Sequence, residues 1–141
     1  YLTMLNGMLI NWSSKLQRTV AGSSVEAEYM AGCDCAKDVL YIKKLLVDLD
    51  MFDGRPIELC TDSEGCLKVA NNPVYHGRLK HMEIRYYFLR DAVKAKIIEM
   101  RWISGKNNPA DLMTKPVTRK VWEHLKKHLV QEADEFIKKM E

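Results

Sequence analysis

Ser23-Ser24-Val25-Glu26 opens a run whose apolar residues recur mostly three and four apart, from Val25 and Tyr29 through Cys33, Ala36 and Val39 to Leu46 and Leu49. That spacing predicts one long helix ending near Asp50. Ser23 serves as N-cap, and Glu26 reaches back to the Ser23 amide as a capping box. Such a helix must lay its apolar stripe on a second layer of structure, and strand signals flank it on both sides. Tyr1–Leu5 and Met8–Trp12 are separated by Asn6-Gly7, the pair that best accepts two positive φ angles in a tight hairpin. Gln17–Ala21 reads as a third strand. After the turn at Asp53-Gly54 and Pro56, Ile57–Thr61 reads as a buried strand.

Asp62-Ser63 then opens a short helix that ends near Asn71-Asn72-Pro73. A further helix is expected over Lys80–Lys94 and a strand alternating between two faces over Ile97–Ile103. Gly105–Asn108 is a loop, and Pro109 stands at a first helical position, where its missing N–H costs nothing. The remainder is helical from about Thr118 to Lys139. This order implies an α/β fold, a mixed sheet flanked by helices.

With 47% apolar and 29% charged residues the chain has the balance of a globular domain, not of a disordered one. It contains no apolar stretch long enough to span a bilayer and no secretory signal pattern. Its four cysteines do not make a disulfide scaffold. An intracellular location, cytoplasmic or nuclear, is therefore expected, with no secretion and no membrane partner. From Lys68 to Lys127 there are 14 Lys or Arg against five acids, whereas residues 1–50 carry five basic and six acidic side chains. A cationic second half suits a polyanion such as nucleic acid, although solvated helix faces give the same count.

Three acids stand where the expected elements aim at one edge of the sheet. Glu28 lies one turn into the long helix, Asp62 at the carboxyl end of Ile57–Thr61, and Asp111 in the first turn after the glycine-containing loop. Open α/β sheets bind ligands at the carboxyl ends of their strands. Clustered carboxylates repel one another unless a cation lies between them, and hard divalent ions take oxygen ligands. Each acid also has an ordinary structural use: Glu28 and Asp111 complement helix dipoles, and Asp62 can cap the next helix.

Several blocks carry a family resemblance. Ile10-Asn11-Trp12-Ser13-Ser14-Lys15-Leu16-Gln17-Arg18-Thr19-Val20 precedes Ser23-Ser24-Val25-Glu26-Ala27-Glu28-Tyr29-Met30-Ala31. Leu59-Cys60-Thr61-Asp62-Ser63 follows, then the run from Asn72-Pro73-Val74 to Lys80-His81-Met82-Glu83-Ile84-Arg85-Tyr86. The last is Asn108-Pro109-Ala110-Asp111-Leu112-Met113-Thr114-Lys115-Pro116. Together, and in this order, they resemble the ribonuclease H domain of copia-type LTR retrotransposon Pol polyproteins.

The resemblance implies a ribonuclease H-like domain over residues 1–125, with a helical extension over 126–141. It implies hydrolysis of the RNA strand of RNA–DNA hybrids with two Mg²⁺ or Mn²⁺ ions, beside an upstream reverse transcriptase region of the same polyprotein. Block by block, the family's catalytic, metal-binding carboxylates fall on Glu28, Asp62 and Asp111. The capping role of Glu26 supports Glu28, because two residues apart on a helix they face about 200° apart.

The family's first aspartate lies on an opening strand upstream of the segment matching Tyr1, and the earliest acid here is Glu26. The expectation is a domain whose first strand is missing, inactive alone and an enzyme when complete. The alternative is a truncated or exapted, catalytically inactive domain that binds nucleic acid or is vestigial. The loop before Asp111 lacks the histidine found in cellular ribonucleases H, as the resembling copia-type domains, short in this loop, also do, so its absence is no sign of degeneration.

Among the remaining residues, Lys15, Arg18, Lys106 and Lys115 are the basic residues nearest the expected site, suited to phosphate contacts that position without reading sequence. His81 is expected to be structural, Cys60 a buried strand residue, and the three tryptophans core or edge packing. Cys33 and Cys35 point to different sides of a helix and have no partners at zinc-finger spacing.

Overall fold

In a computed structural model of the chain, which describes residues 1–72 and 87–129, Asn6 and Gly7 adopt φ of 50° and 80°. These angles close a two-residue turn whose twist matches the strands it joins. Strand β1 (Leu2–Leu5) pairs antiparallel with β2 (Met8–Trp12), with a bulge between Thr3 and Met4. Tyr1 and Ser13 exchange backbone hydrogen bonds of 2.9 and 3.0 Å and lengthen the ladder.

The chain divides into two compact units. The hairpin, residues 1–16, belongs to one together with the chain from Ser104 onward; residues 17–103 form the other. In the first unit, the Ser14 hydroxyl donates to the Met113 carbonyl at 2.6 Å. A 3-10 turn covers Gly105–Asn107, and a second covers Pro109–Met113, capped by the Asn108 side chain on the Ala110 amide. Helix α4 (Arg119–Leu125) is capped by Thr118 and passes into a 3-10 turn over Lys126–His128. The expected helix from Thr118 thus tightens after Leu125. Its part beyond Leu129 lies outside the described residues.

The second unit is built on α1 (Ser24–Asp48). The capping box forms one residue out of the expected register. The Glu26 amide donates to the Ser23 hydroxyl at 3.1 Å, but the Glu26 carboxylate accepts from the Gly22 amide at 2.8 Å. Asp50, with φ of 57°, ends the helix in the left-handed conformation. Strand β3 (Ile57–Thr61) pairs in parallel with β4 (Ile98–Trp102), and α2 (Glu64–Asn71) and α3 (Tyr87–Lys94) complete the unit. The earlier part of the helix expected over Lys80–Lys94, and His81 on it, lie outside the described residues.

Gln17–Ala21 is not a strand: it runs exposed toward the helix, and Val20 is 98% exposed. Among the described residues the strands make two separate two-stranded sheets and no single mixed sheet. The β3–β4 pair is buried on one face. Leu59, Thr61, Ile98 and Met100 point inward, while Cys60 is exposed on the outer face, where Arg101 pairs with Glu58 at 3.1 Å and Glu99 at 3.5 Å. The expectation of a buried Cys60 therefore fails, because strand side chains alternate. The tryptophans are not core either; Trp12, Trp102 and Trp122 are all substantially exposed.

The core of this unit gathers Tyr29, Cys33, Ala36 and Val39 of α1 with Leu59, Cys66, Val69, Leu89 and Ile98. The far end of α1 departs from its pattern, since Tyr41, Leu45 and Leu49 are exposed. A 25-residue helix is roughly 37 Å long at about 1.5 Å per residue. The eight described residues of each of α2 and α3 match only about a third of that length.

Candidate active site

The first turns of α1 and α2 meet at Val25 and Gly65. A Cβ on Gly65 would stand 2.5 Å from Val25 Cγ2, so only glycine permits this approach. The β-branched valine has little rotamer freedom in a helix. Gly65→Ala gains about 0.5–1 kcal/mol in helix propensity against about 1–3 kcal/mol of overpacking. The expected net is a loss of about 1–2 kcal/mol, read from the urea midpoint; an unchanged midpoint would mean that Val25 swings aside.

One turn on from Val25, on the same face of α1, Glu28 lies beside this junction. Its carboxylate acts on the buried thiol of Cys66 in the first turn of α2. The thiol is pushed up to about 11, chiefly by burial and then by the Glu28 charge, with a hydrogen bond to Thr61 acting the other way. Asp62 immediately precedes the same turn, at the carboxyl end of β3. It is half-buried and does not cap α2: the Cys66 amide donates to the Ser63 hydroxyl at 3.2 Å. The capping use considered for Asp62 is thus taken over by its neighbour. Glu28 thus acts on the first turn of α2, and Asp62 immediately precedes that turn in the chain.

Asp111 belongs to the other unit, in the Pro109–Met113 turn. There its Oδ2 lies 2.7 Å from Lys115 Nζ, and the carboxyl is 18% exposed. Two residues expected to act separately, one on metal and one on phosphate, are therefore an ion pair. Their i, i+4 spacing is a signal that could have shown this from sequence. Lys15, Arg18 and Lys106 are exposed. Among the described residues no three His, Cys, Asp or Glu side chains form a group able to hold a metal ion. The Val25–Gly65 approach had no sequence signal, because helix packing distance depends on the partner element.

Burial also raises the Cys33 thiol, to about 12, with Lys37 opposing and Cys66 adding to it. Both thiols thus hold their protons more tightly folded than unfolded, where they ionise near their ordinary 9.0. Above that pH the unfolded chain releases protons that the folded chain keeps. Stability should fall from about pH 9 toward 11–12, by at most about 1.4 kcal/mol per pH unit for each thiol. Urea midpoints between pH 8 and 10.5 measure this, and a flat profile would contradict the burial of both groups.

No family model and no solved structure matches the chain. Curated relatives do match most of its length. It is 37% identical over 123 residues to the retrovirus-related Pol polyprotein from transposon TNT 1-94 of Nicotiana tabacum, which covers 87% of this chain and 9% of the polyprotein. The retrovirus-related Pol polyprotein from transposon RE1 of Arabidopsis thaliana is 34% identical over 124 residues, 88% of this chain and 8% of its own length. That from transposon RE2 of the same plant is 31% identical over 129 residues, 92% of this chain and 9% of its own. The chain thus spans less than a tenth of the length of these relatives. Over most of its own length the chain is similar to one segment of the retrovirus-related Pol polyproteins of transposons.

Proposed function

We propose that the chain is the ribonuclease H portion of a copia-type retrotransposon polyprotein, with a ribonuclease H-like fold, and that it hydrolyses the RNA strand of RNA–DNA hybrids. The observation that carries this reading is the similarity of most of the chain to transposon Pol polyproteins; it is supported by the Glu28 charge acting on Cys66 in the first turn of α2, the turn that Asp62 precedes in sequence. Both donate only carboxylate oxygen, which suits Mg²⁺ or Mn²⁺. Glu28 and Asp62 would hold the metal, with Asp111 as a further donor once it exchanges Lys115 for the ion. Such an ion supplies charge stabilisation at the phosphate and an activated water. Lys15, Arg18, Lys106 and Lys115 contact phosphates and set the register of the hybrid. In the polyprotein, the reverse transcriptase region delivers the hybrid, and upstream sequence adds the family's remaining carboxylate.

One observation favours a second reading, an exapted domain that binds nucleic acid without cutting it: Asp111 is already neutralised by Lys115. Mg²⁺-dependent cleavage of a labelled RNA–DNA hybrid separates the two, tested with the chain alone and with its natural upstream sequence restored. Cleavage in either form supports the enzyme. Hybrid binding without cleavage in both selects the second reading.

A further inference from the structure

Among the described residues, charge is unevenly divided between the two units. The described residues of the unit holding the hairpin and α4 carry seven Lys or Arg against two acids, Asp111 and Glu123. Those of the other unit carry ten against twelve. Both of these described acids are already engaged, Asp111 by Lys115 at 2.7 Å and Glu123 by Lys126 at 2.6 Å. What remains is organised. Lys120, His124, Lys127 and His128 follow one another at helical spacing and are all exposed. The rings of His124 and His128 stand edge to face at 5.9 Å, so the row continues through the change from α-helix to 3-10 turn. Leu125, fully buried, anchors the segment from behind. His124 Nε2 lies 3.1 Å from Asn107 Oδ1, which joins the Gly105–Asn107 turn, with the exposed Lys106, to the same row.

A solvated helix face ordinarily intersperses its charges. α1 and α2 do so, pairing Lys37 with Asp34 and Lys68 with Glu64. α4 also carries one acid on this face, Glu123, which pairs with Lys126 and leaves Lys120 and Lys127 exposed in excess. Lys120 and Lys127 stand about two helical turns, roughly 10 Å, apart, with the two imidazoles between and beside them, an arrangement that suits a polymer with regularly repeated negative charge.

We propose that Lys106, Lys120 and Lys127, with the two histidines beside them, form a phosphate-backbone tracking surface for nucleic acid, which adds the α4 residues to the phosphate contacts assigned above. It rests on the nucleic-acid reading above and extends it: the surface holds the duplex whether or not the carboxylates cut it. Contacts of this kind confer affinity and salt dependence without sequence preference.

The test is fluorescence anisotropy of a labelled RNA–DNA hybrid with the full chain, across a salt series, alongside cleavage of the same hybrid. Lys120→Gln/Lys127→Gln should weaken binding about tenfold near physiological salt and flatten the log–log salt slope by about two, at about 0.9 per phosphate contact. Lys44→Gln/Lys94→Gln, two exposed cations of the other unit, should change neither. Circular dichroism establishes that each variant is folded. Equal losses in both double variants, or an unchanged slope in the first, would overturn the proposal. So would wild-type binding to polyglutamate as tight as to hybrid, which would assign the row to an acidic polypeptide. A loss of binding confined to the α4 variant, in a chain that cleaves nothing, supports the surface while rejecting the enzyme. Cleavage with unchanged binding in that variant does the reverse.

Discussion

Asp62→Asn is expected to reduce Mg²⁺-dependent hybrid cleavage about a hundred- to a thousandfold, the usual cost of losing one electrostatic group at a reacting centre. The fold should hardly notice. Asparagine has the same shape, and Ser63, not Asp62, caps α2. What the fold loses is one anion near a helix N-terminus, worth about 0.3–1 kcal/mol. The two readouts therefore separate a catalytic from a structural role. Cleavage measured beside a urea midpoint should show a large fall in the first and a small one in the second. Full cleavage in the variant, or a midpoint loss well above 1 kcal/mol, would return Asp62 to the scaffold. Where the chain has no activity to lose, metal affinity read by calorimetry in the same pair of proteins carries the test.

Leu89→Ala is expected to destabilise the second unit by about 2–5 kcal/mol, among the larger effects of a single core truncation. Leu89 is completely buried, and the described part of α3 buries only Leu89 and Ala92. Its Cδ2 faces Gly32 on α1, at a point where a Cβ on the glycine would come within 3.4 Å. Because Gly32 has no side chain to relax into the space, the cavity stays open, and the cost lies toward the upper end. Leu49→Ala makes the contrast. Leu49 closes the apolar series of the long helix in the sequence, yet it is 60% exposed, and its truncation should cost less than about 0.5 kcal/mol. Urea midpoints with unchanged m-values would establish both. Similar losses at the two positions would mean that the far end of α1 is covered after all.

Much of the secondary structure was legible in the residues. Asn6-Gly7 demanded the hairpin because few other pairs accept two positive φ angles. Ser23 demanded a helix start because its hydroxyl satisfies an amide that nothing else can reach, and Pro109 and Thr118 opened later segments for related local reasons. Chemistry of this kind acts within four residues, so sequence alone determines it. The position of Asp62 at the carboxyl end of β3 and of Glu28 in the first turns of α1 was legible in the same way. What tertiary structure alone decided were matters of distance and of facing. Leu89 is core and Leu49 is surface although both are apolar. Cys60 turns outward while Leu59 and Thr61 turn in. Val25 reaches α2 only because position 65 has no side chain, and that approach carries Glu28 to Cys66 and the start of α2. Burial depends on which elements arrive at a surface and how far they extend along it, and neither is written in the periodicity of the surface itself.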